Sequence, residues 1–368
     1  MQNKDTPAYP HNMGAVAWQD LRTGRNVQDS RLGKLLNTVQ QRLNPRLRVQ
    51  FLRLQRVLRA IPLFDAAYYL RTDPTLVNTG IDPLWHYCSR GAGEGRNPSP
   101  YFFTSWYLAQ YPQVAESGLN PFLHYLLHGQ EQGTNPNPYF CTTWYLERYP
   151  QARAQGLHPL LHYLTCGVQE NTWPNPYFDS AWYSRSYPES AGTEALAHFL
   201  AHGVEFGFQP NPYFDLNWYH EQYPQAREMG LHPLQHYMIY GLTEKIDPHP
   251  YFDSAWYGQQ YPKSLAAELC PLAHYLEHAS SGTVNPNAYF DVAWYRASYP
   301  EITKNKIDPV LHYALFGVKE RRDPGPYFST DWYLWKYADV AALAMNPLQH
   351  YLRIGAAEGR DPGPFFDS

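Results

Sequence analysis

One histidine recurs eight times in this 368-residue chain, as His86, His124, His162, His198, His236, His274, His312 and His350. Imidazole titrates near neutrality and ligates metals, so a regular ladder of it invites a catalytic or metal reading. Two aromatic ladders run beside it. Trp106, Trp144, Trp182, Trp218, Trp256, Trp294 and Trp332 recur, with Tyr68 in the first copy. Each is followed by a tyrosine: Tyr69, Tyr107, Tyr145, Tyr183, Tyr219, Tyr257, Tyr295 and Tyr333. Flat rings of this kind stack on bases and equally on sugars. Glu94, Glu170, Glu244, Glu320 and Glu358 share one further position.

All these residues obey one spacing. A Tyr-Phe pair starts at Tyr101, Tyr139, Tyr177, Tyr213, Tyr251, Tyr289 and Tyr327, with 38 residues between successive copies and 36 between Tyr177 and Tyr213. Self-similarity at such a period marks a stacked repeat protein, in which each unit buries its apolar face against its neighbours only. Eight copies are read at 63–100, 101–138, 139–176, 177–212, 213–250, 251–288, 289–326 and 327–364, and residues 365–368 open a ninth. Stacking decides between the readings of the histidines. Packed helices lie roughly 8–10 Å apart, whereas zinc draws its ligand atoms to about 2 Å. Successive histidines therefore cannot share a metal. Their expected role is structural and inter-repeat, each imidazole bonding a carbonyl or tyrosine hydroxyl of the adjoining unit. The tryptophans are read as core. The tyrosines after them (Tyr107, Tyr145, Tyr183, Tyr219, Tyr257, Tyr295 and Tyr333) are read either as core too or, because each hydroxyl needs a polar partner, as the candidate surface for a ligand or partner.

Each phrase reads as two short helices. Asp179, Asp215, Asp253 and Asp291 stand where an N-cap carboxylate belongs. Nearby Ser or Thr is expected to serve where Phe103, Cys141 or Ser329 replaces the aspartate. Helix A should run about nine residues and stop at Tyr-Pro, since proline disfavours helix in the residue before it, with a variable loop following. Helix B opens at Asn120-Pro121, His158-Pro159, His232-Pro233, Asp308-Pro309 and Asn346-Pro347, with proline at the first helical position. It reaches a glycine suited to a left-handed C-terminus or a close helix contact. Pro-x-Pro then suggests a stiff crossing to the next unit. The predicted fold is an all-α solenoid of helix pairs.

Proline, at 33 residues, is about twice its usual share. It recurs at fixed positions and so punctuates a folded chain. Cys88, Cys141, Cys166 and Cys270 form no CxxC pair, which argues against a disulfide framework. No GxSxG, phosphate loop, HExxH or Asp-x-Asp occurs, and neither catalysis, metal nor cofactor is expected. The net charge of -4 conceals an asymmetry. From Arg31 to Phe64 there are Arg31, Lys34, Arg42, Arg46, Arg48, Arg53, Arg56 and Arg59 and no acidic residue. Residues 1–30 balance and are expected to be disordered, so the repeats are net acidic. They are a poor match for nucleic acid. Residues 31–62 form the basic leader. Leu32, Leu36, Val39 and Leu43 suggest one amphipathic helix, and Leu47, Phe51, Leu54, Leu58 and Ile61 a second. With Arg46, Arg48, Arg53, Arg56 and Arg59 as candidate docking residues, it could lie on an anionic membrane through residues 31–61, dock on a partner, or cap the repeats. No stretch approaches a membrane span.

The phrase Tyr-Phe-Asp-x-x-Trp-Tyr-Leu-x-x-Tyr-Pro followed by Asn-Pro-Leu-x-His-Tyr-Leu-x-x-Gly-x-x-Glu-Gly-Arg-x-Pro resembles a repeat of bacterial proteins. Those repeats accompany glycosyltransferase and rhamnan-synthesis-type domains of surface polysaccharide pathways. The lead-in from Arg53 to Leu70 looks like that of the glycosyltransferase-linked members. The resemblance implies no defined activity; with eight repeats, no catalytic set and a basic leader, the expectation is a non-catalytic scaffold for protein partners, a glycosyltransferase among them, in the cytoplasm or peripheral on the inner membrane. The alternatives it leaves are a polysaccharide-binding module with an exposed aromatic ladder, and an accessory glycosyltransferase subunit.

Overall fold

A computed structural model of the protein describes residues 45–77, 79–262, 270–305, 307–343 and 345–366. The expected disordered segment 1–30 and the first leader helix lie outside them. The described chain is all-α and built from short helices, with only isolated bridges such as Ser99 to Phe102 besides. It divides into two compact units, one ending at Glu205 and one starting at Phe206. The division falls inside the 36-residue fourth copy.

The third copy shows how the phrase folds. Helix A is Thr142–Arg148, Tyr149 turns extended, and a second helix, Pro150–Ala154, begins at the proline. The expected loop after Tyr-Pro is thus partly helical. Proline that ends one helix is equally able to start another, because the first turn needs no N–H. Asp179, Asp215, Asp253 and Asp291 cap helix A as expected, each accepting from the N–H of the following tryptophan at 2.8–3.0 Å. Phe103, Cys141 and Ser329 leave that end without a side-chain cap. The neighbouring threonines are used elsewhere: Thr142 Oγ1 donates to the Thr134 carbonyl of the preceding repeat.

Helix B begins as α-helix, Pro159–His162, then widens into a π-helical turn, Tyr163–Gly167. The same switch after the ladder histidine occurs at Tyr87–Gly91, Tyr125–Gly129, Phe199–Gly203, Tyr313–Gly317 and Tyr351–Gly355. In the fifth and sixth copies Pro233–Tyr240 and Pro271–His278 remain α-helical. The glycine closing the turn is right-handed, with φ −57° at Gly129, so its role is close contact. A Cβ on Gly355 would lie 2.3 Å from the Tyr333 hydroxyl, and one on Gly167 would lie 2.7 Å from that of Tyr145.

Each repeat closes on itself. The Cys141 N–H donates to the Pro174 carbonyl at 3.0 Å, and Asn175 Nδ2 to the Tyr139 carbonyl at 2.7 Å. Asn175 Oδ1 also accepts from the Tyr177 N–H. Where asparagine is the central residue, at Asn137, Asn175 and Asn287, the crossing is therefore a bend fixed by its side chain, in place of a stiff crossing. The core of this copy is Phe140, Tyr145, Ala152 and Leu160, all wholly buried.

Contacts within each unit extend beyond adjacent repeats. The Tyr101 hydroxyl of the second copy donates to Glu194 of the fourth at 3.1 Å, and Tyr213 of the fifth to Asp308 of the seventh at 2.5 Å. Arg353 of the eighth copy reaches Asp247 at 2.5 Å and the His249 carbonyl at 2.9 Å, with its guanidinium 4.5 Å from the Trp218 ring centroid. The expectation that repeats touch only their neighbours is corrected here. The leading tyrosine of the phrase is long enough to cross the following repeat and find the helix B cap beyond it.

Gly355→Ala should destabilise the second unit by about 1–3 kcal/mol, the usual cost of forcing a methyl into a filled site. Chemical denaturation of the full chain measures this. An unchanged transition would show that the Tyr333 hydroxyl can move aside freely.

Candidate functional site

The histidine and tyrosine ladders meet each other. In every repeat the hydroxyl of the tyrosine after tryptophan is hydrogen-bonded to Nδ1 of the ladder histidine. The separations are 2.8 Å for Tyr69–His86 and Tyr107–His124, 2.9 Å for Tyr145–His162 and Tyr183–His198, 2.8 Å for Tyr219–His236, 2.7 Å for Tyr257–His274, and 2.9 Å for Tyr295–His312 and Tyr333–His350. Helix A thereby holds helix B of the same copy. The bond is within a repeat, which corrects the inter-repeat assignment of His86, His124, His162, His198, His236, His274, His312 and His350. The partner type, a tyrosine hydroxyl, is the one expected.

Tyr107, Tyr145, Tyr183, Tyr219, Tyr257, Tyr295 and Tyr333 are all 0% exposed. They present no surface to a ligand, and this corrects their candidacy. Desolvation raises the pKa of each phenol, so none is poised as a base near neutrality. Desolvation likewise lowers the pKa of all eight ladder histidines, which holds them neutral. Among the tryptophans, Trp144 and Trp218 are buried and the other five are half-buried. Each lies edge-on to the tyrosine five residues on, as Trp144 does to Tyr149 at 6.1 Å.

Repeats join along a second line of buried and half-buried polar groups, whose part in joining repeats the sequence did not reveal. It is formed by the residue capping helix B: Asn120, His158 and Glu194 in the first unit, and Asp308 in the second. Glu194 accepts from the backbone N–H groups of Leu196 and Ala197 and from the hydroxyls of Tyr163 and Tyr101. Desolvation raises its pKa despite these four donors. His158 packs edge-on against Tyr125, with ring centroids 4.8 Å apart, and desolvation lowers its pKa to about 4. Both of its ring nitrogens lack a protein partner. The position was legible as a cap. That it would be buried depended on tyrosines from other repeats, which a single phrase does not reveal.

The described leader helix, Pro45–Ala60, packs on the first two repeats. Phe51 and Leu54 are buried, and Phe51 meets Trp85 edge-on at 4.9 Å. Gln50 Nε2 donates to the Gly118 carbonyl, and Gln50 Oε1 accepts from the Asn120 N–H, both at 2.8 Å. Arg46 donates to the Ser117 carbonyl, so this candidate docking residue is engaged within the chain. Arg48, Arg53, Arg56 and Arg59 are exposed. Among the described residues no cluster of three or more His, Cys, Asp or Glu is arranged to hold a metal, and no helix is long and apolar enough to cross a membrane. Comparison with protein families, curated proteins and solved structures returns no match.

Burial of neutral histidines fixes the pH response. His158 has a folded pKa near 4 against an ordinary value of 6.5, so below pH 6.5 the unfolded chain binds the proton more readily. Stability from this residue is complete above pH 6.5 and is lost as pH falls toward 4. At pH 5 the loss is about 2 kcal/mol. His158→Asn, which installs the cap found at Asn120 and Asn346, should narrow the gap between thermal midpoints at pH 7 and pH 5 by about 5 °C. An unaltered gap would remove His158 from the acid response.

Proposed function

We propose that the chain is a non-catalytic repeat scaffold of bacterial surface polysaccharide synthesis, docking a glycosyltransferase and lying peripherally on the inner membrane. The carrying observation is how the phrase uses its side chains. Its recurring tyrosines and histidines are consumed in eight buried pairs, so the repeated residues build a support. Variation is left to the outer face. Three residues after the ladder histidine, Leu127, Ile239 and Leu315 are 42%, 55% and 62% exposed. Exposed large apolar side chains in matching register suit protein partners better than solvent. The choice of glycosyltransferase rests on the resemblance of the phrase. The glycan-binding alternative loses its tyrosine ladder to the core and retains only half-buried tryptophans.

Affinity capture of the full chain from a lysate of its source, in detergent, should recover a glycosyltransferase. Ile239→Glu with Leu315→Glu should abolish that recovery while leaving the circular dichroism spectrum unchanged. Recovery of no polysaccharide enzyme, or equal recovery by the variant, overturns the scaffold reading. Heat on titration with the source's own glycans would favour the alternative.

A further inference from the structure

We infer that the outer face of the leader helix is a docking surface for an anionic lipid bilayer, held by Arg48, Arg53, Arg56 and Arg59 around Val49 and Leu52. The inference rests on the peripheral placement proposed above and assigns it to one surface. Helix geometry puts these six residues on a single face. At 100° per residue they fall within an arc of about 140°, with Leu52, Arg56 and Val49 at its middle and Arg48, Arg59 and Arg53 toward its flanks. The opposite face is already occupied, since Phe51 and Leu54 are 1% and 0% exposed against the repeats. Packing thus fixes which side of the helix points outward.

The composition of that side is unusual for a solvated one. Val49 and Leu52 are each 49% exposed, and an apolar pair interleaved with arginines is the pattern of a helix lying in a bilayer interface. A shallow depression lined by Arg53, Arg56, Val57 and Leu127 continues the apolar strip onto the second repeat. None of the four arginines forms an ion pair with another described residue. No described carboxylate pairs with them, although the repeats behind them carry a net negative charge. The source of complementary charge must be extended and anionic. An anionic bilayer supplies that charge along the whole length of the helix, with an attraction that acts over a Debye length of about 8 Å, whereas a nucleic acid wrapping the chain would also meet the acidic repeats. Arginine's long apolar stem lets the side chain reach the headgroups while Val49 and Leu52 enter the interface.

The test is sedimentation of the purified full chain with vesicles of phosphatidylcholine containing phosphatidylglycerol, and with phosphatidylcholine alone. Binding to the anionic vesicles, weakened by salt and absent on neutral ones, is expected. Each Arg→Gln change among the four should lower partitioning about fivefold, following the roughly 1 kcal/mol per basic residue at such a surface. Val49→Ser with Leu52→Ser should lower it further without altering the salt dependence. Thermal melting checks that each variant is folded. Equal binding to neutral vesicles, or no loss in the quadruple Arg→Gln variant, overturns the assignment, as does binding to poly-glutamate in place of vesicles. Because no enzyme is present, failure here leaves the glycosyltransferase capture untouched.

Discussion

Everything in the repeat depends on one buried hydrogen bond, between the helix A tyrosine hydroxyl and the helix B imidazole. Neither helix A nor the α-helical start of helix B is long enough to persist alone. Thr142–Arg148 has seven residues and Pro159–His162 four, far below the length at which an isolated helix forms in water. Burying the tyrosine ring supplies apolar area but obliges its hydroxyl to find a partner. The histidine 17 residues on supplies it (15 in the shortened fourth copy), and the net gain is on the order of 1 kcal/mol. The penalty for misalignment is larger, because a slip would leave two buried polar groups unsatisfied. The bond therefore sets register more than it adds stability. At Gly91, Gly167, Gly203, Gly317 and Gly355 the glycine follows from it, since a Cβ there would lie 3.0 Å or less from the hydroxyl.

The second line of contacts changes what kind of repeat protein this is. In a nearest-neighbour array each interface is independent, and unfolding can begin at any joint. Here the leading tyrosine lies against helix B of the next copy, as Tyr139 does against Phe199 and Tyr213 against Tyr275. Its hydroxyl then reaches the cap of the copy after that. Removing one repeat from within either unit would disturb partners on both sides. Burial along this line is also why its caps differ in character from surface caps. Glu194 and Asp308 there serve helix B and a tyrosine from elsewhere at once.

Much of this was legible locally. The aspartate caps of helix A, proline at the first position of helix B and the stacking of aromatic residues are decided within a few residues, and the structure agrees with them. What failed to show in the phrase were choices that neighbours decide. Tyr145 carries a hydroxyl, and only the position of His162 determines whether that group faces water. Tyr149-Pro150 marks a helix end by its chemistry, but a further helix starts there because Ala152 finds a buried place. The π-helical turn has no signature in residue types. Tyr237 to Gly241 resembles Tyr163 to Gly167, yet the first is α-helical and the second is not. The leader read correctly as amphipathic; which arginines it would spend inward depended on the Ser117 carbonyl at the end of the helix Pro112–Ser117.

Repetition assigns function by subtraction. A residue present in all eight copies answers a demand that all eight share, and for the paired tyrosine and histidine that demand is the bond between the two helices. Differences between copies are free of that demand. The position three residues after the ladder histidine carries Ser89, Leu127, Thr165, Ala201, Ile239, Glu277, Leu315 and Arg353 in turn. Seven of these are available to tune an outer surface. The eighth, Arg353, is turned inward onto the Asp247 carboxylate and the carbonyls of His249, Pro250 and Phe252. A guanidinium has donors enough for all four, which no other residue in the series could satisfy. One register position thus serves recognition in some copies and cohesion in another, and side-chain length together with donor count decides which.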